Sequence, residues 1–143
     1  MPKPTVDDAK LILKLYDMRR EPRLLEARRW FAASFKVKTF DEYLALCPPG
    51  GEPNASYRMV VTYWEMVASF LTSGALNNKL FYQSGREMLL TWERVRDIVP
   101  DIRKANKHSR EYKNLEDAAA AYVKWWNKTA PGAFDAFSKR VRG

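Results

Sequence analysis

The sequence predicts an all-α protein, a single compact multi-helix bundle of roughly six to eight helices around one central buried helix. Apolar residues recur with the helical period along almost the whole chain, and no segment shows the two-residue alternation of a strand. Capping residues and Pro/Gly breaks separate the periodic segments. The 143 residues, 46% apolar and 29% charged, are enough to bury one core, so we expect a single domain over 1–143.

The three N-terminal helices have ordinary start signals: an N-cap threonine followed by aspartates, a proline in the first turn, and a capping box. These signals are Thr5, Pro22 and the Thr39–Glu42 pair. We expect the corresponding helices to end near Arg20, Phe35 and Leu46. The Pro- and Gly-rich segment 47–53 then predicts a loop.

The longest predicted helix is the central one, capped by Asn54 and ended by Gly74. Nearly every residue from 55 to 71 is apolar except for one narrow polar stripe. The stripe consists of Arg58, Thr62, Glu65, Ser69 and Thr72. A helix that is apolar on all but one stripe is packed by neighbours on several sides, so this helix is expected at the centre of the bundle.

The C-terminal half continues with shorter helices. We expect a helix from Asn77 with a break at Ser84-Gly85, a short basic segment from Pro100, and a helix capped by Asn114 with Asp117. The Ala130-Pro131-Gly132 segment ends that helix, and a short terminal helix follows over roughly 133–141.

Composition and motifs argue against several classes of function. Cys47 and His108 are the single cysteine and histidine, which exclude an internal disulfide and a Cys- or His-rich metal site. Phosphate-loop, GxSxG and HExxH motifs are missing from the sequence, so we predict no catalytic residues, no cofactor and no small-molecule ligand. No apolar stretch reaches about 18 residues and the N-terminus has no signal-peptide core, so we expect a cytoplasmic protein without a membrane span.

Glu65 is the most informative carboxylate because it lies beside Trp64 in the most apolar helix. One interpretation is a desolvated general base with a raised pKa. The other is a structural ion pair across the bundle, with Arg86 or Arg103 as the partner. The sequence indicates no second catalytic group nearby, so we favour the ion pair and expect Glu65→Gln to destabilise the fold.

Aromatic residues near the C-terminus predict the leading function, a non-enzymatic module that binds a partner protein or a second copy of itself. Neighbouring residues on a helix point about 100° apart, so Trp125 and Trp126 cannot both face the core. Exposed Trp and Arg side chains often carry the binding energy of an interface. Phe134 and Phe137 on the short terminal helix complete the predicted interaction surface, and a homodimer is its simplest form.

Nucleic-acid binding is the alternative function, because the net charge is +8 and cations crowd the segment 100–114. Clusters of this kind can follow phosphates, although they also occur as ordinary solvated surfaces. The candidate residues are Arg103, Lys104, Lys107, Arg110 and Lys113.

The central stretch resembles a family of uncharacterised bacterial proteins known as a domain of unknown function. The similar segments are 63–76 (YWEMVASFLTSGAL), 92–95 (WERV) and 98–103 (IVPDIR). The family pattern contains a Trp/Phe-Glu helix, a turn ended by glycine, a second Trp-bearing helix and a Pro…Arg segment. This resemblance over residues 63–103 implies an all-helical fold and makes Glu65 and Arg103 a shared structural pair; it implies no activity.

Overall fold

Residues 2–143, the part of the chain that the computed structural model describes, form nine helices and no strand. The helices are α1 (Val6–Met18), α2 (Pro22–Ser34), α3 (Phe40–Leu46), α4 (Glu52–Thr72), α5 (Asn78–Tyr82), α6 (Arg86–Val95), α7 (Val99–Asn106), α8 (Lys113–Thr129) and α9 (Ala133–Arg142). The all-α class is confirmed, but the described residues form more than the expected six to eight helices. The increase arises because the segment from Asn77 to Asn106 divides into three short helices.

Gly85 separates α5 from α6, as the sequence predicted. A Cβ atom at this position would overlap the ring of Phe81 in the preceding helix. The ring therefore packs directly on the glycine backbone, and a larger residue would displace it. The ring of Phe81 therefore occupies the space that a side chain at position 85 would need.

The threonine N-caps of α1 and α3 lie where the sequence predicted them, and the structure adds a capping box at Thr5 to the one predicted at Thr39. The hydroxyl of Thr5 accepts a hydrogen bond from the Asp8 amide at 3.1 Å, and the hydroxyl of Thr39 accepts one from the Glu42 amide at 3.1 Å. The side-chain carboxylates of Asp8 and Glu42 in turn accept hydrogen bonds from the backbone N–H groups of Thr5 and Thr39. Bonds from the backbone N–H groups of Lys38 and Thr39 lower the pKa of Glu42, as expected for an acceptor that is stronger when ionised.

Two helices begin earlier than the sequence predicted. The central helix α4 begins at Glu52 rather than Asn54, because Pro53 fits its first turn. Helix α8 begins at Lys113, before Asn114, and the preceding residue adopts a left-handed conformation. The prediction that Asn54 and Asn114 are N-caps is therefore wrong, since both lie inside their helices.

Helix α4 lies at the centre of the bundle and packs most extensively against α8 and α2. Its residues Val61, Trp64, Val67 and Ala68 are completely buried. This arrangement agrees with the expectation from its single polar stripe. Although α4 has 21 residues, neither it nor any other helix in residues 2–143 is long and apolar enough to cross a membrane.

Arg94 on α6 is a buried side chain that ties together the ends of two other helices. Its guanidinium donates to the carbonyl of Phe31 at 3.1 Å, to that of Phe35 at 2.9 Å, and to that of Val141. The last carbonyls of a helix have no partner within the helix, so the cation satisfies the Phe35 and Val141 carbonyls, and it adds a second bond to the Phe31 carbonyl, which also accepts from the Phe35 amide. Burial lowers the pKa of Arg94.

Helix α9 is also attached to α6 by polar contacts along its length. The hydroxyl of Ser138 donates to the buried carboxylate of Glu93 at 2.6 Å. Arg142 donates to the Glu93 carbonyl at 2.7 Å and pairs with Asp97 at 2.6 Å. The terminal helix is thus held by hydrogen bonds as well as by its buried apolar face.

Replacing Arg94 with methionine tests this role. The variant keeps an unbranched side chain but leaves three backbone carbonyls without a charged donor. We expect a loss of about 3 kcal/mol in the free energy of unfolding, measured by urea denaturation. Arg29→Met, at an exposed arginine on α2, is the control and should change stability little. Equal stability of the two variants would contradict the proposed role of Arg94.

Candidate functional site

Glu65 binds the start of α8 rather than a basic side chain. Its Oε1 atom accepts the backbone N–H of Leu115 at 2.8 Å, and its Oε2 atom accepts the side-chain amide of Asn114 at 2.9 Å. Within residues 2–143 the carboxylate has no ion pair, so the predicted partners Arg86 and Arg103 are both wrong. Glu65 instead acts as an N-cap supplied to α8 by another helix.

Arg103 has different partners at the same end of α8. Its guanidinium lies 2.9 Å from the carboxylate of Glu116 and donates to the carbonyl of Glu111 at 2.8 Å. The hydrogen bond from Arg103 lowers the pKa of Glu116. The Glu65–Arg103 pair that the resemblance implied is therefore replaced by two separate contacts that both fix the first turn of α8.

The need of α8 for an acceptor from another helix has a local cause at its first turn. The residue before α8, Tyr112, has a φ of 61° and offers no side-chain hydrogen bond to the helix. The first N–H groups of α8 consequently need acceptors from elsewhere. The polar stripe of α4 supplies Glu65, and Thr72 at the end of the same stripe lies 2.7 Å from the Asn114 side-chain oxygen.

The residues considered for catalysis lie apart or already have partners. Both oxygens of Glu65 accept hydrogen bonds. Cys47 is buried, and burial raises the pKa of its thiol to about 11, which keeps it in the unreactive protonated form near neutral pH. His108 is exposed and its Nδ1 atom accepts from the Arg110 amide. Among residues 2–143, no cluster of three or more His, Cys, Asp or Glu residues could hold a metal ion.

The predicted aromatic surface divides into two parts. Trp126, Phe134 and Phe137 pack together between α8 and α9, with ring centroids 6.2 and 5.6 Å from Trp126. Phe137 is only 4% exposed, so it supports the other rings rather than facing a partner. Trp125 lies apart from this group, with its ring 5.2 Å from that of Tyr82 on α5.

Trp125 borders a groove of about 330 Å³ between α5 and α8, which we call the α5–α8 groove. Tyr82, Ala121 and Trp125 contribute its apolar part, and Asn78 adds an amide. Three exposed lysines also line it: Lys79, Lys124 and Lys128. None of the three lysines forms an ion pair within the described residues.

The candidate nucleic-acid residues do not form one set of free cations. Arg103 pairs with Glu116, and Lys113 lies 3.4 Å from Glu116 and 3.2 Å from Asp117. Only the remaining three are exposed and without an ion pair in residues 2–143; they are Lys104, Lys107 and Arg110. Of the five candidates, Arg103 therefore joins α7 to α8, and Lys113 pairs with carboxylates of its own helix.

The model of the domain of unknown function DUF4760 matches residues 4–125, which includes Glu65 and its partners on α8. The chain belongs to the DUF4760 family. The resemblance over residues 63–103 is thus confirmed, and the DUF4760 match is much longer than that segment. Helix α9 lies beyond the matched residues. No curated protein and no solved structure is significantly similar to this chain.

The contact between Glu65 and α8 predicts a specific loss of stability. Glu65→Gln keeps the size of the side chain but removes the charged acceptor of the Leu115 amide. We expect the free energy of unfolding to fall by about 1–2 kcal/mol in urea denaturation. Glu26→Gln, at an exposed carboxylate on α2, is the matched control and should be nearly neutral. A Glu65→Gln variant that unfolds like the wild type would refute the capping role.

Proposed function

We propose that this DUF4760 protein is a non-enzymatic interaction module whose α5–α8 groove binds an acidic segment of a partner protein. One observation supports this function best: a half-buried tryptophan borders an apolar groove that is surrounded by unpaired lysines. The proposal includes a cytoplasmic location, which fits the single reduced thiol of Cys47.

The aromatic part of the groove is held in place by stacked rings. Tyr82 lies between Trp125 and Tyr122, with ring centroids 5.2 and 4.3 Å away, respectively. The hydroxyl of Tyr122 donates to the Tyr82 carbonyl at 2.6 Å. Rings fixed in this way lose little conformational freedom on binding, which favours their use as interface anchors. A groove of about 330 Å³ is small, and it suits one or two apolar side chains of a peptide segment.

Charge determines the kind of partner segment. Lys124 and Lys128 are one helical turn apart on α8, and Lys79 faces them from α5. Like charges at this spacing repel one another. Asp or Glu residues on either side of an apolar anchor would relieve that repulsion, so the groove favours an acidic partner.

The residues outside the groove have supporting roles in this proposal. Trp126 and Phe134 hold α9 against α8, and Phe137 is buried beneath them. Self-association through the groove would instead appear as a dimeric solution mass that Lys124→Glu reduces to that of a monomer.

Nucleic-acid binding stays the alternative proposal. It rests on Lys104, Lys107 and Arg110, the candidate cations that are exposed and without an ion pair in residues 2–143. Binding of duplex DNA or RNA with a steep dependence on salt, lost in charge-reversal variants at these three positions, would favour it.

Selection from a random peptide display library tests the proposed function. We expect the enriched peptides to carry one aromatic or large aliphatic residue flanked by Asp and Glu. Lys124→Glu should weaken their binding at least tenfold, because it places a like charge beside the acidic residues. Lys124 is exposed, so the variant should fold normally.

Lys36→Glu is the matched control because Lys36 is exposed in the α2–α3 connection and does not line the groove. It should leave the affinity of the selected peptides nearly unchanged. The proposal fails if no peptides are enriched, if they lack acidic residues, or if the two lysine variants weaken binding equally.

A further inference from the structure

A second surface feature lies where the end of α1 meets α2, α6 and α9. It is an open cleft of about 330 Å³, which we call the arginine cleft. Its main lining residues are Tyr16, Arg19, Arg28, Arg86, Glu87 and Phe137. The cleft shares no lining residue with the α5–α8 groove, so its properties do not depend on the proposed function.

The cleft has an excess of positive charge. Glu87 is its only carboxylate among the described lining residues, and its two oxygens share the Nε–H of Arg28 at 3.0 and 3.1 Å. The Nε atom of Arg19 lies 3.7 Å from the same carboxylate. Arg86 also lines the cleft, so three guanidinium groups and one carboxylate give it a net charge of +2.

Arg19 is held in place but has unused hydrogen-bonding capacity. Its side chain is only 11% exposed and stacks on the rings of Tyr16 and Trp64, at 4.9 and 5.3 Å. The guanidinium also faces the hydroxyl of Tyr63; burial raises the pKa of Tyr63, and Arg19 partly offsets that rise. A guanidinium has five N–H donors, so Arg19 keeps donors beyond those that face Glu87 and Tyr63.

Other arginines around the cleft are held in the same way. The guanidinium of Arg86 lies 5.1 Å above the ring of Trp126 and has no ion pair within residues 2–143. Arg20 stacks on Tyr16, and Arg140 stacks on Phe137, each at 5.5 Å. Stacking occupies the face of a guanidinium and leaves its N–H groups free at the edge. Aromatic contacts thus orient these cations without neutralising them.

We propose that the arginine cleft binds a phosphate monoester. A phosphate dianion matches the net charge of the cleft, and its oxygens suit the paired N–H groups of arginine. The exposed ring of Tyr16 provides an apolar wall for the organic part of the ester, and the buried Phe137 supports the floor of the cleft. The ester belongs either to a free nucleotide or to a phosphorylated aromatic side chain, and these two sources share the same binding chemistry.

Isothermal titration calorimetry with AMP, phenyl phosphate and inorganic phosphate tests the proposal at an ionic strength of about 0.15 M. We expect an ester to bind more tightly than inorganic phosphate, because only the ester has an organic part that contacts the exposed ring of Tyr16. Tighter binding of AMP would identify a nucleotide site, whereas tighter binding of phenyl phosphate would identify a site for a phosphorylated side chain.

Arg86→Gln is the decisive variant because this arginine is exposed and its loss should not impair folding. We expect it to weaken ester binding at least about tenfold, the effect of losing one charge-assisted hydrogen bond. Arg29→Gln removes an exposed arginine of α2 that does not line the cleft, and it should leave the affinity unchanged. No binding of any probe, or an equal loss in the two variants, would overturn the proposal.

Discussion

The bond between Glu65 and the first turn of α8 is the contact on which the arrangement of the bundle most depends. Helix α4 is buried on nearly every side, so its one polar stripe determines where a polar neighbour can lie. Helix α8 begins without a capping side chain of its own and needs an external acceptor for its amides. A carboxylate at this position also interacts favourably with the helix dipole. Since α8 carries Trp125 and two lysines of the groove, this contact positions the candidate interaction surface.

Helix α6 has a related role, because its polar side chains also hold neighbouring helices. Toward its C-terminal end, Arg94 and Glu93 bind the ends of α2 and α9 through buried hydrogen bonds. Toward its N-terminal end, Arg86 and Glu87 line the arginine cleft. Buried polar groups are tolerated in proteins when they are fully hydrogen-bonded. The same short helix therefore fixes the C-terminal part of the bundle and presents cations at the surface.

Local signals in the sequence predicted much of the fold. These signals are the Thr5 N-cap, the Thr39 capping box, the proline at the start of α2 and the single polar stripe of α4, and each depends on residues at short spacings. Such features are encoded by short spacings, so one sequence is enough to identify them. The resemblance to a family of uncharacterised proteins, over residues 63–103, rests on segments of the same kind.

The partners of Glu65 and Arg94 could not be predicted, because they lie about fifty residues away along the chain. Helical periodicity indicates which face a side chain occupies, but not what the neighbouring helix offers there. The hydrogen-bonding needs of a carboxylate inside a bundle can be met by a cation or by free backbone N–H groups. At Glu65 they are met by N–H groups, because the left-handed Tyr112 leaves the start of α8 without a side-chain cap of its own. The stacking of arginines on aromatic rings likewise depends on contacts between helices that are remote in sequence.

Amide hydrogen exchange at Leu115 in the wild-type protein tests the central claim that Glu65 caps α8. The amide of Asn114 is an internal reference, because it lies in the same turn and has no acceptor within residues 2–143. If Glu65 caps α8, the Leu115 amide exchanges far more slowly than the Asn114 amide, at a rate close to that of the core amides of α4. Exchange at Leu115 as fast as at Asn114 would show that the bond to Glu65 does not hold α8 in place.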